Sequence, residues 1–203
     1  LKNRNIDCIQ ELLEQQKEEV IRRQQELKII QKKIENRLNQ LLDALSSELG
    51  VIALVRTPSR RLASLRTDLT PKSYLDLEVF IRELEQQEEN SVTFLGKVGV
   101  GLSAVSLLKG RFQPYEMVFI LLDEEDSFRG ETVVLPAEDC VTIRFQGGHS
   151  QAPEYYGKLI EYIRKNDYKV CGFSREITMI DDGLTSDASQ FVTEIQIPVA
   201  VNV

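Results

Sequence analysis

The sequence predicts an α+β protein: a long N-terminal coiled-coil helix followed by a duplicated strand–helix–strand–strand domain with an antiparallel sheet and a central groove. Three observations carry that reading. Residues 1–45 contain neither Gly nor Pro and repeat an apolar residue at a seven-residue stride. After Gly50, β-rich runs bounded by Gly, Pro and Asp alternate with two helical patterns. The order strand, helix, strand, strand then occurs twice, with residues 74–84 lying 79 positions before 153–163 and residues 115–122 lying 76 before 191–198. Few residues are identical between the halves, so the pattern repeats rather than the sequence.

In the first segment Ile6, Leu13, Val20, Leu27, Ile34 and Leu41 form one full row of a heptad seam. A second row is weaker, with Gln16 and Arg23 interrupting it. Such a helix is about 60 Å long at 1.5 Å per residue, and its stripe needs a partner helix to bury it. The expected boundaries are a dimerisation helix at 1–47 and a second domain at 50–203, with Gly50 at the helix end. Strands are expected at 51–57 and 61–66, then a helix from Thr70-Pro71 to about Gln87, because Thr caps and Pro suits the first helical position. Residues 91–108 read as β with glycine turns, and 112–122 as another strand. The second cycle comprises a strand at 140–145, a helix at 153–165, and strands at 170–180 and 191–199.

Composition narrows the function classes. The net charge is −7, and it is uneven: residues 1–45 hold nine Lys/Arg and eight Asp/Glu, residues 46–203 sixteen and twenty-four. An acidic domain repels phosphate backbones, so no duplex DNA binding is expected of this chain by itself. No apolar run is long enough for a transmembrane span. Cys8, Cys140 and Cys171 are few and far apart, which fits reduced thiols and a cytoplasmic setting, with buried packing roles for the last two. His149 is the sole histidine, with no cysteine cluster beside it, so neither a metal site nor a cofactor is expected. The glycines at 96, 99 and 101 fit turns and bulges better than a phosphate loop, which would open a helix. The chain begins at Leu1 and its methionines are Met117 and Met179, so an N-terminal segment is expected to be missing.

The stretch Phe191-Val-Thr-Glu-Ile-Gln-Ile-Pro-Val199 is the most informative. At a strand's two-residue period Phe191, Thr193, Ile195, Ile197 and Val199 share one face, and Val192, Glu194, Gln196 and Pro198 the other. Glu194 is then either a wet-face residue of a half-buried sheet or a carboxylate held in a hollow to meet a cation. Glu116 and Glu176 also lie inside strand-like runs. Acids converging on a groove with Tyr74 and Tyr156 nearby would suit an organic cation, which relieves the cost of an unpaired buried carboxylate. Ring faces would add to that attraction.

The runs Glu154-Tyr-Tyr-Gly-Lys-Leu-Ile-Glu-Tyr-Ile163, Tyr168-Lys-Val-Cys-Gly172 and Glu194-Ile-Gln-Ile-Pro198 resemble the GyrI-like effector-binding domain. The preceding helix, joined to it through Val55-Arg-Thr-Pro-Ser-Arg-Arg-Leu-Ala-Ser-Leu65, is similar to the dimerisation helix of MerR-family multidrug-sensing transcription regulators. The resemblance implies a homodimer paired through that helix in antiparallel fashion, a small-molecule effector, and DNA contact only through an N-terminal winged helix-turn-helix that this chain lacks. It places Glu194 in the drug pocket, with Gln196 where relatives often carry Tyr. The ligand-binding set expected is Glu194, Glu176, Tyr156, Tyr74 and Gln196, without catalysis. The alternative is a GyrI-like hydrolase using the pocket's glutamate and aromatic residues.

The heptad row generates a direct test of assembly. In sedimentation at roughly tens of micromolar, the chain is expected to be a dimer and Leu27→Asp a monomer, since a charge placed in the seam is desolvated without a partner. A monomeric parent would remove the paired-helix idea.

Overall fold

The computed structural model describes residues 6–69, 82, 98–124, 126 and 128–201. The chain divides into two compact units, residues 1–39 and 40–203. Helix α1 (Ile6–Ser46) runs for 41 residues, as an unbroken helix-favouring stretch should. Within the first unit Ile6, Leu13, Val20, Leu27 and Ile34 are each more than half exposed, an apolar row left uncovered among the described residues. Pairs from Arg22 to Glu19 and Glu26, and from Arg23 to Glu19, brace the helix's middle. The last turns of α1 belong to the second unit. There Leu41 and Ala44 pack on Met179, Ile180 and Val192. Gly50 adopts φ +80°, the left-handed region that glycine enters at no steric cost, and donates its N–H to the Arg144 carbonyl at 2.7 Å.

The second unit contains β1 (Ile52–Thr57), β2 (Arg60–Leu69), β3 (Val98–Gly101), α2 (Ala104–Leu108), β4 (Tyr115–Leu122), β5 (Val133–Leu135), β6 (Glu138–Gln146), α3 (Ala152–Lys165), β7 (Lys169–Val170), β8 (Arg175–Ile180) and β9 (Val192–Ala200). These nine strands form one sheet in the order β1-β6-β9-β8-β3-β4-β2-β5, with β7 beside β9. Every pairing is antiparallel. The order β6-β9-β8 is answered by β2-β4-β3, and the triplets meet where β8 pairs with β3. That is the duplication read in the sequence, now as a pseudo-twofold.

One face of the sheet packs on α3. The helix contributes Tyr156, Leu159, Ile160 and Ile163, and the sheet contributes Val141, Ile143, Phe145, Ile195, Ile197 and Val199, all buried in one cluster. The apolar spacing of α3 is the 3.6-residue pattern expected of a helix laid on a sheet. On the opposite face Leu62, Phe119 and Ile177 make a smaller core.

Several expectations are corrected. Residues 102–108 are not strand, because Ser103 accepts from the Ser106 N–H and starts the short helix α2. The run 170–180 breaks into β7 and β8, separated by residues 171–174, and β5 was not anticipated at all. Cys140 is buried, but Cys171 is exposed, against the packing role expected of it. The helix expected over 70–87 lies outside the described residues, apart from Arg82, which is helical.

Glu116 is explained by α2. Its Oε2 accepts from the Ser103 N–H at 2.8 Å and its Oε1 from the Ser106 hydroxyl at 2.5 Å. Burial raises its pKa, but the bonds from Ser103 and Ser106, with Arg111 nearby, outweigh that and hold the carboxyl below its ordinary value of 4.5. A depressed folded-state value means a contribution present above the unfolded value and lost as pH falls through the folded one. Glu116→Gln is therefore expected to cost about 1 kcal/mol at neutral pH, with the gap to the parent closing below about pH 4.5. Urea midpoints at neutral and acid pH measure this; a gap independent of pH would mean the charge does not cap the helix.

Candidate functional site

Successive residues of a strand point to opposite faces, and that alternation decides how the expected site residues are distributed. On β8, Glu176 stands opposite Val100 of β3 and Ile195 of β9, on the side that packs against α3. On β9, Glu194 stands opposite Ile177 of β8 and Arg144 of β6, on the other side. The structure thus brings Glu176 together with Tyr156, and Glu194 together with Gln196, but separates the two pairs by the thickness of the sheet. Tyr74 lies outside the described residues.

Glu176 has no exposed surface. A carboxylate only accepts hydrogen bonds, and among the described residues each of its two oxygens meets a donor. Tyr115 Oη donates to Oε2 at 2.6 Å, and His149 Nδ1 bonds Oε1 at 2.6 Å. The His149 ring, itself buried, meets the Tyr115 ring edge-on with centroids 5.9 Å apart. Tyr156 is fully buried beside them, its hydroxyl 2.9 Å from Ser174 Oγ, and Phe112 stacks on its ring at 5.5 Å. Burial first, and the neighbouring Glu176 second, push both phenols well above the ordinary tyrosine range. They stay protonated and remain donors. Among the described residues no lysine or arginine bonds Glu176.

Tyr115 and His149 were not in the expected set. They lie 61 and 27 residues from Glu176, distances over which a single sequence carries no contact signal. The available hint was that the sole histidine follows Gly147-Gly148 and lies three positions before the start of α3.

The opposite face has a different character. Glu194 and Gln196 line a groove of about 330 Å³ that also takes in Val55, Arg60, Thr142 and Arg144. Glu194 is already supplied with a cation: Arg144 Nε reaches it at 2.5 Å, while Arg144 Nη2 reaches Asp43 near the end of α1 at 2.6 Å. Gln196 donates its amide to Glu194 as well. Burial alone would lower the Arg144 guanidinium's hold on its proton, but Asp43 and Glu194 more than offset it and keep Arg144 charged. The acid singled out from sequence therefore serves a bridge between helix end and sheet, and a cationic ligand would have to compete with an arginine for it.

The profile of the GyrI-like small molecule binding domain matches residues 52–200, nearly the whole second unit. This chain belongs to the GyrI-like family. Among solved structures, the GyrI-like chain is similar to EcmrR in its complex with DNA, at 18% identity and a TM-score of 0.57, covering 95% of this chain and 72% of that one. It is similar to the EcmrR C-terminal domain at 20% identity and 0.58, covering 75% and 98%, and to an uncharacterized conserved protein from Listeria innocua at 10% and 0.51, covering 77% and 95%. At these identities the likeness is one of fold. No curated protein matches the chain.

Removing one partner of a shielded ion pair costs more than removing both, because the survivor is left desolvated and unpaired. Arg144→Met is expected to destabilise the domain by about 2 kcal/mol, and adding Glu194→Met is expected to recover part of the loss. Denaturant midpoints of the single and double variants measure it; a strictly additive pair would show that the two side chains do not support each other.

Proposed function

We propose that this GyrI-like chain is the effector-sensing and dimerisation part of a transcription regulator, and that its effector is a lipophilic organic cation received at Glu176. One observation carries the reading: Glu176 is wholly buried, yet it is held by a phenol and an imidazole rather than by an arginine or lysine of the described chain. A carboxylate so placed is costly to desolvate, and a ligand cation repays that cost. Tyr115, Tyr156 and Phe112 supply aromatic surface beside it, adding about 0.5–2 kcal/mol for each ring face a cation meets. The family's description as a small molecule binding domain supports the same reading.

The regulatory half of the proposal rests on α1 and on the likeness to EcmrR, which was solved bound to DNA. The exposed row from Ile6 to Ile34 suits pairing with a second copy. DNA reading is assigned to a separate part of such a regulator, since sixteen basic residues against twenty-four acidic ones in 46–203 would repel a duplex. Glu194 and Gln196 are given a supporting part through Arg144 rather than ligand contact.

The Glu176–His149 pair flanked by two phenols is also a set of proton donors and acceptors, which favours a hydrolase as the second reading. One titration separates the two. A dye cation such as methylene blue, followed by calorimetry, is expected to bind at micromolar strength and be recovered unchanged, and Glu176→Gln is expected to weaken it by about 1–3 kcal/mol while sparing neutral analogues. Equal binding by parent and variant would sink the assignment of Glu176. Recovery of a cleaved product would favour the hydrolase.

A further inference from the structure

Both oxygens of Glu176 are occupied, and the two donors that occupy them are mounted very differently. Tyr115 opens strand β4, is fully buried, and belongs to the main core. It has nowhere to go without breaking that core. His149 sits in the turn between β6 and α3, behind Gly147 and Gly148. Gly147 holds φ +119°, a conformation that side chains rarely adopt. The turn is pinned at its base, with the Gly147 N–H donating to the Phe191 carbonyl at 2.9 Å and the Thr193 hydroxyl donating to the Gly147 carbonyl at 2.6 Å. Gly148 has open space where a side chain would be. The backbone ahead of His149 is thus anchored on β9, so a displaced imidazole would have to move by rotation about its own side-chain bonds.

We infer that His149 is a tethered stand-in for the effector's cationic group, and that the effector binds by taking its place on Glu176 Oε1. This rests on the reading of Glu176 as the effector's partner. The chemistry follows from the accounting of donors. When His149 leaves, a buried carboxylate oxygen loses a hydrogen bond, and an uncompensated loss of that kind is expensive. A ligand with a strongly polarised N–H restores the hydrogen bond, and a cationic centre without one offsets its loss through charge. A neutral hydrocarbon of the same shape does neither. His149 therefore sets a threshold that only cations cross, and selectivity comes from the penalty imposed on the others. Its edge-on contact with Tyr115 marks the place an aryl or heteroaryl cation would occupy against the same ring.

The test uses the full chain, with methylene blue as the cationic probe and imidazole as the rescuing ligand. His149→Ala removes the stand-in and leaves its hole, so the probe is expected to bind about tenfold to a hundredfold more tightly than to the parent. Millimolar imidazole is expected to compete with the probe in His149→Ala and not in the parent, and to raise the variant's melting temperature. In His149→Ala/Glu176→Gln, imidazole is expected to do neither. His149→Asn, which keeps a side-chain donor on the turn, provides the control for folding and is expected to fall between. If the probe binds the parent and needs Glu176, but His149→Ala binds it no better or imidazole fails to compete, the displacement is wrong while the cation site stands. If the probe binds neither the parent nor His149→Ala, the cation site is wrong and the displacement goes with it.

Discussion

A carboxylate with no exposed surface obliges its surroundings to supply donors, and much of the second unit is arranged around that obligation at Glu176. Strand β8 places the acid on the helix-facing side. Strand β4 brings Tyr115 to one oxygen, and the turn before α3 brings His149 to the other. Tyr156 of α3 and Ser174 close the cluster from the helix side. Each of these residues reaches the acid only because the sheet order sets β8 between β9 and β3. The fold is thus the means by which donors far apart in sequence are made to converge. The hydrogen bonds then make a buried polar group tolerable.

Much of the architecture was legible in the sequence. The two-residue period of Phe191 to Val199 put Ile195, Ile197 and Val199 on one face, and all three enter the main core, while Val192, Gln196 and Pro198 of the other face are buried as well. The duplicated order of elements foreshadowed the pseudo-twofold of the sheet. Local pattern was weakest where tertiary contacts decide. Residues 102–108 have the composition of a strand, yet the local Ser103 cap and the Glu116 carboxylate, brought in from β4, wind them into helix.

The candidate site was half legible. Alternation within one strand can be read from sequence, and it identified Glu176 and Glu194 as acids on strands. Which face of β8 lies beside which face of β9 depends on register, and register follows from pairings across the whole sheet. Once that register is known, Ile177 stands opposite Glu194 and the two acids part company. The same register explains why Arg144 finds Glu194, a contact that no local pattern announces. Glycine at position 99 belongs to this category too: a Cβ there would come within 2.4 Å of the Phe119 ring and 2.8 Å of the Glu176 carbonyl. That need for close approach arises from three strands meeting.

Strands β3 and β8, where the two halves of the sheet join, are tied by two registered pairs, Gly99 with Ile177 and Val100 with Glu176. Seven such pairs tie β6 to β9 inside one half. The acid thus lies on the short seam between the two halves, with an apolar valine as its counterpart across the pseudo-axis. A symmetric frame has been loaded asymmetrically at its joint. Whatever rests on Glu176 would rest on both halves of the sheet together, since β8 pairs with β9 on one side and with β3 on the other.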